Sequence, residues 1–233
     1  MDITGHPDGP PTKVGTPIAD LVTGLYASQA ITAALLARPV TGAGRRIDIA
    51  MSDAVASLLA FNAGIYFATG ESPRRRGNLH PTISPYETFE AADGWINVGV
   101  ASDKFWTLFC GAIGRLDLVS DARFAKPSAR VTNRSALAKM IAPILRGESR
   151  DAWVSRLGNA GVPCGAIRTV AEVCEAEQLV SRGMILRMRH PTVPEIRLVA
   201  TPFRFDDQGP RTSLPPPLLD QHRAEILRDW LKP

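Results

Sequence analysis

The sequence predicts an α/β fold. Two runs dense in apolar residues, 17–38 and 51–69, flank a short β-type stretch, RRIDIA, as in part of an α/β layer. Further on, YETFEAADGWINVGV places two β-rich runs around Ala-Asp-Gly, the pattern of a hairpin. Amphipathic segments that follow supply helices to pack on it.

In chain order, the polar, Pro/Gly-rich residues 1–15 read as an exposed loop. Thr16 is placed to N-cap a helix and Pro17 to take its first position, where no N–H is needed. Ile18, Leu21, Val22, Leu25, Ile31, Leu35 and Leu36 are too dense for a surface helix, so burial on most sides is expected. Pro39 is expected to stop it, TGAGRR to turn, and RRIDIA to form a strand. Residues 51–69 form a second buried helix, with Ser52 or Asp53 near its start. The aperiodic stretch 70–85 is a loop and an expected domain boundary. After the hairpin, DKFWTLFCGAIG, 128–146 and 149–160 read as helices. Strands are expected at 162–168 and 184–189, a short helix at 170–175, and pairing of 194–199 with 184–189. GPRTSLPPPLLDQ is extended, since consecutive prolines favour polyproline geometry, and HRAEILRDWL is a terminal helix.

Composition narrows the function. The 233 residues suffice for one large domain or two small ones, and the formal net charge is only +4. Positive charge clusters at Arg74, Arg75 and Arg76 alone. Such a run is either a solvated loop or a surface facing a phosphate-bearing ligand. No basic stripe is interleaved with aromatics, so a nucleic-acid partner is not expected. Cys110, Cys164 and Cys174 have no metal-ligand spacing and read as buried or free thiols of a reducing cytoplasm. No stretch approaches roughly 18 consecutive apolar residues, so no membrane partner is expected, and the N-terminus has neither signal nor transit character. GxGxxG, P-loop, HExxH and nucleophile-elbow patterns are absent, and His6, His80, His190 and His222 are dispersed, so no metal is expected.

One acid, Asp20, interrupts the apolar run behind Gly-Thr-Pro. Ordinary helix design explains it: a carboxylate in the first turn meets the positive end of the helix dipole. A catalytic role is the competing reading.

Several ordered segments decide between them. GHPDGPPTKVGTPIADLVTGLYA, TGAGRRIDIAMSDAV, GNLHPTISPYETFEAADGWINVGV, DARF, AGVPCGAI, RHPTVPEIRLVATPFRF and PPPLLDQH together resemble the C-terminal two-thirds of the family III CoA-transferases. That family includes formyl-CoA, carnitine and succinyl-CoA-dependent dicarboxylate CoA-transferases and the α-methylacyl-CoA racemases. The resemblance implies an α/β large domain with a nucleotide-fold-like layer, here incomplete, and a smaller inserted α+β domain. It implies segments at 1–76 (large domain), 77–176 (small domain) and 177–233 (return to the large domain), and interlaced dimers.

The resemblance also implies chemistry. Asp20 corresponds to the family nucleophile, which forms a mixed anhydride with the donor acyl group and then an aspartyl-CoA thioester. A carboxylate suits this role because both products stay activated, whereas a serine would stop at an unreactive ester. The helix N-terminus would keep Asp20 ionised and its N–H groups would steady developing negative charge. Acyl-CoA and a carboxylic acid are the implied substrates, succinyl-CoA-like for the donor, with no permanently bound cofactor. Met51 lies where the family contacts CoA, and core packing is its ordinary reading. Arg38 is a second CoA-contact candidate, although a C-terminal arginine also suits the helix dipole. Gly77, Asn78 and His80 fall in the loop that closes over the thioester, or simply form a turn. Formyl-CoA transferase has a glycine-rich run there, and this chain has only Gly77. Arg74, Arg75 and Arg76 are candidates for the distal carboxylate of a dicarboxylate or for CoA phosphates.

The family's chains are longer, and nothing here corresponds to their N-terminal CoA-binding part. The two apolar helices would then lack packing partners, which predicts a partner such as the missing N-terminal half, self-association as in a homodimer, or poor solubility. Two alternatives stay open: a racemase, which would pair Asp20 with a histidine from the N-terminal part, and a truncated chain acting only as an interaction partner.

Overall fold

Pro17 decides how the first helix begins. Its φ of −73° and ψ of 66°, with the Ile18 N–H donating to the Thr16 carbonyl at 2.8 Å, make an inverse γ-turn. In this computed structural model, which describes residues 1–206, 208–209 and 214–230, Pro17 is therefore the N-cap and no side chain caps the helix. The expected arrangement of a Thr16 cap with Pro17 in the first helical position is displaced by one residue by this turn.

Helix α1 (Ile18–Thr41) runs through Pro39, which was expected to stop it. A proline in the last turn forfeits one bond, to the Leu35 carbonyl. The end comes instead at Gly42, whose φ of 68° is left-handed and whose N–H donates to the Arg38 carbonyl at 2.9 Å.

No residue of α1 is buried. Most of its aliphatic side chains are exposed, Leu36 at 75%, so the expected burial on most sides is corrected. The residues have the density of a core helix, but the described chain lays little against them beyond α2 (Met51–Ser57). Tyr26 Oη and Ser57 Oγ share a hydrogen bond of 2.8 Å across that contact. At 24 residues, with mean hydropathy 1.3 over an 18-residue window, α1 is also long and apolar enough to cross a membrane. The contrary expectation counted consecutive apolar residues. The small and hydroxyl residues between the aliphatic ones lower the mean little.

RRIDIA has no ladder partner among the described residues and is not a strand, because a strand exists only where a neighbour takes its backbone groups. The single helix expected over 51–69 is two, α2 and α3 (Ala60–Thr69), bent by 73°. The Leu58 and Leu59 N–H groups bond back three residues, to Val55 and Ala56, and Ala60 takes φ 41°. This tightening ends the α-ladder. Ala54 is the buried residue of α2, and α3 has none.

The core lies further along. The hairpin forms as expected from β1 (Tyr86–Ala91) and β2 (Gly94–Gly99), with Ala91 opposite Gly94. Alternation puts Glu87, Phe89 and Ala91 of β1, and Ile96 and Val98 of β2, on the buried face. Helix α4 (Asp103–Ala112) is N-capped by Ser102, whose Oγ accepts from Phe105 N–H. It is followed by α5 (Asp117–Ser120), α6 (Pro127–Thr132), α7 (Arg134–Leu145) and α8 (Arg150–Asn159). Strand β3 (Cys164–Ala166), shorter than the expected 162–168, adds antiparallel to β2, giving the order β1-β2-β3. Trp106, Phe109, Leu118, Phe124, Leu137, Ile141, Leu145, Trp153 and Leu157 fill the space against this sheet.

One helix was expected over 128–146, and Asn133 divides it. Its backbone leaves helical geometry at φ −98°, ψ 20°, and its side-chain amide donates to the Arg123 and Ala129 carbonyls at 3.0 Å each.

These residues belong to a compact unit, Met1–Ala166. The second unit, Ile167–Pro233, contains α9 (Val170–Glu175), α10 (Glu177–Ser181), β4 (Ile185–Met188), β5 (Ile196–Val199) and α11 (Arg223–Asp229). Helix α9 begins with a capping box between Thr169 and Glu172. Strands β4 and β5 pair antiparallel, Ile185 opposite Val199, as expected. Helix α10 was not expected. In the tail read as extended, residues 210–213 lie outside the described residues, as do 207 and 231–233. The architecture is mixed α/β with small sheets.

Candidate functional site

The loop before β1 is held from two directions. Gly77 takes φ 59°, and its N–H donates to the Gly5 carbonyl at 2.9 Å. A Cβ there would lie 3.0 Å from His6 Nδ1, so glycine answers both the backbone conformation and the close N-terminal segment. Two residues earlier, Arg75 Nη1 donates to the Asp2 carbonyl at 2.9 Å and to Asp2 Oδ1 at 3.1 Å. From the other side, Arg134 of α7 donates through Nη2 to the carbonyls of His80 and Ile83, both at 2.6 Å.

His80 is tied into this knot. Its backbone N–H donates to the Tyr86 carbonyl at 3.0 Å, and its ring stacks on Tyr86 at 5.0 Å and 11°. Nδ1 accepts the Thr82 N–H at 3.2 Å, which places the proton of the neutral ring on Nε2. Asn78 is exposed beside it.

The loop and α3 enclose a groove of about 590 Å³, lined by Phe61, Arg74, Arg75, Arg76, Gly77 and Arg134 among others. Of the candidates named from sequence, the groove takes in Gly77 and the three consecutive arginines. Asp20, Arg38, Met51, Asn78 and His80 are not part of its lining.

Asp20 stands in the first turn of α1 and is exposed. The first intrahelical bond is that of Leu21 N–H to the Pro17 carbonyl, 3.0 Å, so the N–H groups of Ala19 and Asp20 have no intrahelical partner. The result is a solvent-facing carboxylate beside free donors at the positive end of a 24-residue helix. Met51 opens α2 and is about half exposed, 48%. Arg38 lies in the last turn of α1 and is exposed.

Two charged groups were missed from sequence. Glu87 is buried at 8% exposure on the core face of β1. Burial pushes its carboxyl above the usual range, and the nearby Arg134 guanidinium offsets part of that rise. The alternation of YETFEA did contain this signal, since Glu87 shares a face with Phe89. Arg134 had none: 57 residues separate it from Gly77, and only the folding of α7 against the loop brings it to the groove.

Comparison with known proteins accords with the fold. The profile of CoA-transferase family III matches residues 1–223. A succinyl-CoA:mesaconate CoA-transferase from Haloarcula hispanica is 36% identical over 228 residues, 97% of this chain and 57% of that protein. A succinyl-CoA:glutarate CoA-transferase from Mus musculus is 32% identical over 232 residues, 100% of this chain and 53% of that protein. The crystal structure of a CAIB/BAIF family protein from Brucella suis superposes with a TM-score of 0.84 at 38% identity, covering 98% of this chain and 59% of that one. The chain thus spans little more than half the length of these relatives. With the match extending over nearly all of its own residues, the chain belongs to CoA-transferase family III.

Proposed function

We propose that this chain carries the nucleophile of an acyl-CoA:carboxylate CoA-transferase, with a succinyl-CoA-like thioester as donor and a dicarboxylic acid as acceptor. Asp20 Oδ attacks the donor carbonyl, the C–S bond breaks, and CoA leaves as thiolate from a mixed anhydride. The thiolate attacks the aspartyl carbonyl and releases the donor acid, leaving an aspartyl-CoA thioester. The acceptor carboxylate attacks that thioester, and the returning thiolate takes the acceptor acyl group and frees Asp20. Thiolate and carboxylate are the only leaving groups, so no metal or redox cofactor is needed.

The observation that carries this reading is the setting of Asp20. An exposed carboxylate in the first turn of α1, with free N–H donors beside it, can approach a carbonyl and steady the oxyanion that forms. Family membership supplies the reaction class, and the names of the two relatives supply succinyl-CoA and a dicarboxylic acid. Met51 and Arg38 are assigned to CoA contacts, and Gly77, Asn78 and His80 to the loop over the thioester.

The competent enzyme is larger than this chain, as an interlaced dimer, a two-part assembly or both. The exposed aliphatic face of α1 and the unpaired RRIDIA segment support a further layer with a strand to pair and a surface to cover. In that assembly 1–76 and 177–233 belong to the large domain and 77–176 to the small one.

The test is a transfer assay on the complete family-length protein with succinyl-CoA and glutarate or mesaconate, following both CoA esters by chromatography. Asp20→Asn should lower kcat by roughly three orders of magnitude or more at similar KM. Asp20→Asn turnover within tenfold of the parent would remove the nucleophile assignment.

A further inference from the structure

We propose that the arginine groove of the first unit binds a ligand carrying two or more negative charges: the two carboxylates of a dicarboxylic acid, or the phosphates of CoA. This deepens the transferase reading and rests on it for the choice of ligands.

The groove collects four guanidinium groups from two distant parts of the chain, Arg74, Arg75, Arg76 and Arg134. A solvated loop would explain three consecutive arginines. It would not explain a fourth, brought from α7 and fixed in the same wall. The acceptors that fix Arg134 are the neutral carbonyls of His80 and Ile83, so they orient its charge without cancelling it. Arg74 and Arg76 form no ion pair among the described residues, and Arg75 pairs with Asp2.

The acids nearby do not balance the four. Glu71 lines the groove, Asp2 is 77% exposed at its pair with Arg75, and Glu87 is buried on the core face of β1 and is not part of the lining. The Nε atoms of Arg75 and Arg134 are buried away from solvent, so the nitrogens open to a ligand are chiefly those of the exposed Arg74 and Arg76. Planar guanidinium groups pair with carboxylate and phosphate oxygens two at a time. Phe61, Ile65 and Leu79 add apolar wall suited to the methylenes between two carboxylates. The Arg75–Asp2 pair then works as a placeholder, with a ligand oxygen competing against Asp2 Oδ1.

Binding is measured by titration calorimetry on the full chain at low ionic strength, with succinate, propionate, CoA and pyrophosphate as probes and potassium chloride as ionic-strength control. The parent chain should bind succinate, or CoA and pyrophosphate, saturably, and propionate about tenfold or more weaker than succinate. Succinate alone assigns the groove to the acid, and CoA with pyrophosphate assigns it to the phosphates. Arg74→Met/Arg76→Met, which alters only exposed side chains, should weaken the bound probe about tenfold or more, and so should Arg134→Lys. Saturable binding of none of the dianions, or unchanged affinity in Arg74→Met/Arg76→Met, overturns the proposal even if Arg134→Lys does not fold. The Asp20 transfer assay, run on the complete family-length protein, reads the other claim: groove binding without Asp20-dependent transfer there removes only the transferase reading, and transfer without groove binding removes only this one.

Discussion

Arg130 Nη2 donates to Asp103 Oδ1 at 2.7 Å, joining a guanidinium that is 2% exposed to a carboxylate that is 68% exposed. The same guanidinium donates to the carbonyls of Ser84 and Phe124 and lies 5.2 Å over the Trp106 ring. It therefore fastens α4, α6 and the chain entering β1. Arg130→Met strands two buried acceptors and should cost about 2–4 kcal/mol in urea unfolding. Asp103→Asn keeps a hydrogen-bond acceptor at a solvent-facing position and should cost about 1 kcal/mol or less. Equal losses in the two variants would contradict this account.

Gly77 is constrained twice, by its φ of 59° and by His6 Nδ1 at 3.0 Å from any added Cβ. Gly77→Ala should destabilise the first unit by about 1–2 kcal/mol. It should also speed proteolysis in residues 1–12, which the Gly77–Gly5 and Arg75–Asp2 bonds hold to the loop. An unchanged cleavage rate would show that the N-terminal segment is held elsewhere.

Glu87 gives a pH signature. Its folded carboxyl titrates above the ordinary glutamate value because burial penalises the anion. The native state therefore holds the proton to higher pH than the unfolded chain does. Native stability from this group is highest below the unfolded value and declines as pH rises through the folded one. Glu87→Gln removes the decline, so its stability relative to the parent should be greater at pH 8 than at pH 4. A difference that is constant with pH would place Glu87 in a solvated site.

Cys110 is buried and 0% exposed, and burial pushes its thiol up to about 12. Thiolate is the reacting form, so a disulfide reagent at pH 8 should modify the half-buried Cys164 or Cys174 first and Cys110 only on unfolding. Modification of Cys110 in the native chain would contradict its place in the core.

The legible parts of the fold were those whose partners lie within the chain. YETFEAADGWINVGV fixed its own register because the alternation and the turn agree. The β4–β5 pair was legible for the same reason. The misreadings concern segments whose apparent partners do not occur among the described residues. RRIDIA has strand composition and no ladder partner among the described residues, and α1 has core composition and little cover beyond α2. Local tertiary bonds explain the others: the γ-turn at Pro17, the three-residue bonds before Ala60 and the Asn133 amide. At the groove, Arg74, Arg75, Arg76 and Gly77 could be named from a contiguous motif, whereas Arg134 could be placed only by the fold.

The covalent role of Asp20 is tested most directly by trapping. The chain, its Asp20→Ala variant and the complete family-length protein are incubated with succinyl-CoA, then quenched with hydroxylamine and mapped by peptide mass. A hydroxamate is expected at Asp20 in any assembly that binds the donor, and none in Asp20→Ala. No label at Asp20 in a complete protein that turns over succinyl-CoA, or a label on another carboxylate, would contradict it.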